Sequence, residues 1–186
     1  FFLRHGYVTV SSGWIAEVPV NDTLMRIEAP VVLGDDGVPI VGPVRAELST
    51  DTKTDRLNLA SRGALAFEPV TGSLPDATLT RRQRERDTPH VIPRSEWEFV
   101  LTEGPREEGS GLVEGAIELK SGFEPGLLYD LIYEARGSVV QGAGFAAIRD
   151  FVSFVKHDST SMNPLRDQTG APLAKRVIGA GRSQSG

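Results

Sequence analysis

The residues best suited to chemistry stand in the stretch Gly181-Arg182-Ser183-Gln184-Ser185, where a serine has a small residue two positions away on either side. A serine hydroxyl is a weak nucleophile at its ordinary pKa and needs an adjacent base to become reactive. A sharp strand-to-helix turn meets that need by pushing the hydroxyl out of the sheet, where a base can reach it. The two arms of such a turn pass close together, so the residues two before and two after must be small, and Gly181 and Ser185 qualify. On this reading Ser183 attacks a carbonyl carbon after a histidine takes its proton and an acid orients that histidine. The backbone N–H of Gln184 then points at the developing oxyanion. Ser185 is the rival nucleophile, in a frame that takes Ser183 as its first small residue. An ordinary polar turn has the same composition, so the flanking elements decide between the readings.

Those elements have the order the turn requires. Val177, Ile178 and Ala180 form a short apolar run between Lys175-Arg176 and Gly181, the pattern of a buried strand. Before it, from about Gly142, Phe145, Ile148, Phe151, Val152 and Val155 recur at three- and four-residue spacing and predict one apolar helix face. Arg149, Asp150, Ser153 and Lys156 lie largely off that face, and the polar stretch from Ser159 to Pro172 ends the helix. At the other end of the sequence, Phe1 to Gly6 reads as the end of a helix stopped by glycine. Tyr7-Val8-Thr9-Val10 reads as a strand, and Ser11-Ser12-Gly13-Trp14 as the loop at its carboxyl end. A second oxyanion N–H is expected from that loop, from Gly13, Trp14 or Ile15, with Trp14 at its centre. The plainer alternatives are a loop glycine and a core or rim aromatic.

Between about residues 21 and 135 the pattern changes. Leu24–Ile27, Val41–Leu48, Ala77–Thr80, Trp97–Leu101, Ala116–Leu119 and Leu127–Tyr133 are short and strand-like. Turn clusters such as Gly34-Asp35-Asp36-Gly37 and Glu103-Gly104-Pro105 separate them, which predicts a β-rich module without internal repeats. Residues 1–20 and 136–186 would supply sheet and helix around it. Trp97, Tyr129 and Tyr133 are expected in the core of the module, and Phe145, Phe151 and Phe154 in the core against the helix.

The chain has 186 residues, begins with Phe1 and reaches its motif at its end, so it reads as an internal fragment of a longer protein. A net charge of -5 gives no reason to expect a nucleic-acid partner. The cluster Arg81, Arg82, Arg84 and Arg86 has no interleaved aromatics and reads as a solvated strand end. Cysteine is absent, which removes disulfides, thiol nucleophiles and cysteine metal sites. With His5, His90 and His157 the only histidines and no cysteine, no metal site is expected. Each of the three reads as structural or solvated. No run is long and apolar enough to predict a membrane span.

Four stretches together resemble the large α/β-hydrolase domain proteins of bacteria. They are Phe2-Leu3-Arg4-His5-Gly6-Tyr7 running into Ser12-Gly13-Trp14, Gly122-Phe123-Glu124-Pro125-Gly126 before Tyr129-Asp130-Leu131-Ile132-Tyr133, Gly142-Ala143-Gly144-Phe145-Ala146-Ala147-Ile148-Arg149-Asp150, and Gly181-Arg182-Ser183-Gln184-Ser185-Gly186. They span nearly the whole chain in order, and the helix start is the most specific of them. The resemblance implies a partial α/β-hydrolase fold with a β-rich insertion over residues 21–135, which would wall or cap the active site. It implies a serine hydrolase of the esterase kind but no particular substrate; the reading adopted is hydrolysis of a small-molecule or polymer ester without a cofactor. In that family's chain order the acid and histidine follow the serine, so they are expected beyond Gly186 and the fragment alone is expected to be inactive. Arg182 departs from the pattern, standing where an aromatic often sits. Two alternatives remain: a non-catalytic β-rich binding module with a vestigial serine turn, and an acyltransferase, which differs only in what resolves the acyl-enzyme.

Overall fold

The structure is a computed structural model and describes residues 2–11, 13, 15–18, 22–60, 64–101 and 111–180. Two compact units result, Phe1–Val140 and Gln141–Gly186.

In the first unit, alternation of apolar and polar residues produces strands with one buried face. Among the described residues there are nine: β1 (Val41–Leu48), β2 (Thr54–Asn58), β3 (Ala66–Pro69), β4 (Thr78–Arg82), β5 (His90–Ile92), β6 (Trp97–Leu101), β7 (Leu112–Val113), β8 (Gly115–Phe123) and β9 (Leu128–Arg136). In β9, Tyr129, Leu131, Tyr133 and Ala135 are buried, while Ile132, Glu134 and Arg136 between them are exposed. This strand organises the larger, six-stranded sheet. β1 runs antiparallel along one edge of β9, from Leu48 opposite Tyr129 to Val41 opposite Arg136. The other edge is shared by β4, with Leu79 opposite Leu131, and then β3, with Pro69 opposite Ala135. β5 extends the sheet beyond β4, and β7 extends it beyond β3. The smaller sheet has the order β2-β8-β6 and is also antiparallel.

The chain passes between the sheets twice within a short distance. Only Glu114 separates β7 from β8, and the turn at Glu124–Leu127 separates β8 from β9. Gly126, at φ +77°, supplies the left-handed position of that turn. Phe123 and Tyr129 meet edge to face across the turn with centroids 4.9 Å apart, and the Glu124 N–H donates to the Tyr129 hydroxyl at 2.9 Å. One apolar core is shared by both sheets: Ile117, Leu119 and Phe123 from β8 and Trp97 from β6 pack with Leu79 of β4 and Tyr129, Leu131 and Tyr133 of β9. A smaller cluster of Ala16, Leu112 and Val139 lies beside Ile27, Val31 and Leu65, and Phe67 packs against both.

This architecture corrects the fold expected from the sequence. Among the described residues, two antiparallel sheets and a single α-helix stand in place of the partial α/β-hydrolase fold. Parallel strands need long crossovers, usually helical. Among the described residues no α-helix lies between any two of the nine strands, so the sheets pair antiparallel. Three expected strands are likewise absent. Tyr7–Val10, Leu24–Ile27 and Val177–Ala180 form no strand, and the Ile178 side chain is 70% exposed. Apolar and β-branched residues favour a strand only where a neighbour supplies the ladder. Phe2–His5 is a 3₁₀ turn that ends at Gly6 with φ +76°.

The second unit contains the helix α1 (Gly144–His157). Its apolar stripe divides in two. Val155 is buried, whereas Phe145 (90% exposed), Ile148 and Phe151 are exposed, contrary to the core position expected of Phe145 and Phe151. The carboxyl end of α1 is closed by Asn163, whose fully buried amide Nδ2 donates to the carbonyls of Phe154 (3.3 Å), Val155 (3.2 Å) and Asp158 (2.8 Å). Its Oδ1 accepts from the Leu165 N–H at 2.9 Å. The last carbonyls of a helix have no partner within it, and this side chain supplies one.

Candidate functional site

The nucleophile turn, with Gly181, Ser183, Gln184 and Ser185, lies outside the described residues, as does Trp14. Two of its expected neighbours are described. A Cβ on Gly13 would lie 2.5 Å from the backbone of Met25 and Arg26, so this position admits only glycine. Next to it, the Ile27 N–H donates to the Ile15 carbonyl at 3.3 Å. Gly13 is therefore fixed by a close backbone approach, which an ordinary loop glycine does not require.

The helix preceding the turn brings other reactive side-chain types together. Asp150, Ser153, Phe154, His157 and Asp158 line an open cavity of about 460 Å³ on the polar side of α1. Ser153 and His157 are one helical turn apart, a spacing at which side chains face each other. The carboxylates nearby are engaged elsewhere. Asp150 Oδ1 accepts from Arg149 Nε at 2.7 Å, and Asp158 Oδ1 accepts from the Thr160 N–H at 2.7 Å and from its hydroxyl. Neither orients His157, so this face has a hydroxyl and an imidazole but not the third group that activates such a pair.

Among the described residues, a dense polar constellation lies on the outer face of the larger sheet and was not legible as a unit in the sequence. Asp130, 7% exposed, occupies an outward position in the middle of β9. Its Oδ1 accepts from Arg45 Nε on β1 at 2.8 Å, and its Oδ2 lies 2.9 Å from Arg82 Nη2 on β4. Glu47 adds contacts of 3.2 Å to Arg45 and 3.9 Å to Arg82. The register explains the cluster, because Asp130 stands opposite Glu47 on one side and Thr80 on the other, with Arg45 and Arg82 two residues along on the same face. The hydrogen bond to Asp130, and then its charge, hold the Arg45 guanidinium above its ordinary pKa. Arg82 is thus no solvated strand end: its side chain is 11% exposed and doubly paired. Two cations meet two anions here, so the charges are mutually satisfied and the cluster joins three strands. The signal available in sequence was a lone aspartate inside the apolar run Leu127–Tyr133.

The histidines are dispersed. His90 opens β5 opposite Arg81, and His157 closes α1, where a cation suits the helix dipole. Among the described residues no group of three or more His, Cys, Asp or Glu side chains is placed to hold a metal ion, and no helix is long and apolar enough to cross a membrane. Compared with known proteins, the chain matches no family model, no curated protein and no solved structure.

Proposed function

We propose that the protein is a serine hydrolase that cleaves carboxylic esters, of small molecules or of a polymer, through an acyl-enzyme on Ser183. The observation that carries this reading is the spacing Gly181-x-Ser183-x-Ser185 downstream of an amphipathic helix, here α1. The resemblance of four stretches to the bacterial hydrolase family is in keeping with the same reaction. Ser183 Oγ attacks the ester carbonyl while its proton passes to a histidine base, and the N–H groups of Gln184 and Trp14 donate to the oxyanion. The alcohol leaves with that proton. Water then attacks the acyl-enzyme, releasing the acid and restoring the serine. No cofactor enters these steps.

The test is labelling of the full-length protein with a fluorophosphonate probe. Ser183→Ala is expected to abolish labelling, whereas Ser185→Ala and Ser153→Ala keep it. Equal labelling of wild type and Ser183→Ala would overturn the assignment. A second reading, a non-catalytic binding module, is favoured by one observation: two antiparallel sheets around a shared core account for most of the ordered structure described. It predicts no labelling of the wild type at all.

A further inference from the structure

We draw no further inference here: the strongest candidate, the exposed apolar face of α1 formed by Phe145, Ile148 and Phe151, carries nothing because nothing in the structure shows what covers it.

Discussion

Asp130 shows what a single charge does inside a strand. Its carboxylate is nearly buried, and so is its partner Arg82, whose Nε is buried without a hydrogen-bond partner among the described residues. Removing one member of such a pair leaves an uncompensated buried charge, which costs roughly 3–5 kcal/mol. Asp130→Ala is therefore expected to lower the unfolding free energy by about 3 kcal/mol in urea titration, the exposed half of Arg45 moderating the loss. Glu47 is about half exposed, so Glu47→Ala should cost less than about 1 kcal/mol, the usual worth of a surface ion pair. Equal losses for the two variants would show that burial does not set the value of this network. Tyr133 provides the pH dependence. Burial pushes its phenol up to about 12 from 10.0, and its hydroxyl donates to the Phe67 carbonyl at 3.0 Å. A folded-state pKa raised in this way favours the neutral phenol. The stability it contributes is complete below pH 10.0 and is lost as the pH rises toward about 12. Urea midpoints measured across that window should fall with pH in the wild type and fall less steeply in Tyr133→Phe.

At the scale of elements, close backbone approaches decide where chain segments cross. Gly111 precedes β7 and Gly137 follows β9, and the two glycines touch: a Cβ on Gly137 would lie 2.4 Å from the Gly111 Cα, and one on Gly111 would lie 2.3 Å from the Gly137 Cα. Gly137 also has φ +72°. The contact stands beside the Glu68 N–H donated to the Gly111 carbonyl at 2.7 Å, next to the β3–β7 pairing. Gly137→Ala combines left-handed strain of about 1–2 kcal/mol with overpacking of about 1–3 kcal/mol. Gly126→Ala has the strain alone, since its φ is +77° but open space surrounds it. Thermal unfolding should therefore place Gly137→Ala clearly below Gly126→Ala, and a reversed order would refute the crossing as the cause. In the second unit the loop after α1 is equally specific. Asp167 Oδ1 accepts from the Thr169 N–H (2.8 Å), the Thr169 hydroxyl (2.7 Å) and the Ala171 N–H (3.0 Å). The Thr169 hydroxyl, then the Ala171 N–H, hold this carboxyl below the usual range.

For the whole molecule, the distribution of buried residues makes the β-rich part self-contained. Among the described residues, the two apolar clusters are built from residues between Ala16 and Val139, within the first unit. A core that closes within one segment lets that segment fold alone. The Phe1–Val140 segment, produced by itself, is accordingly expected to give an antiparallel β circular-dichroism spectrum and a cooperative thermal transition. A flat, non-cooperative melt would show that the core needs residues beyond Val140.

Several local elements were legible because local periodicity determined them. Val41–Leu48 and Trp97–Leu101 are strands with the bounds read from their composition, and the run Leu127–Tyr133 overlaps β9, which starts at Leu128 and continues to Arg136. The helix from about Gly142 is α1, starting at Gly144. Trp97, Tyr129 and Tyr133 are core residues, as large aromatics on an alternating face should be. The candidate chemistry, Ser183 with Gln184 and the small residues Gly181 and Ser185, rests on residue type and spacing alone and lies outside the described residues. Sequence did not determine which runs would find partners. Val177–Ala180 and Tyr7–Val10 have strand-like composition, yet strand formation is a property of a pair, and neither has a ladder. Nor could it show that Asp130, Arg45, Glu47 and Arg82 converge, because that depends on the register of three strands far apart in the chain. The antiparallel sheets were decided in the same way, by tertiary pairing around β9, since periodicity gives a strand its faces but not its neighbours.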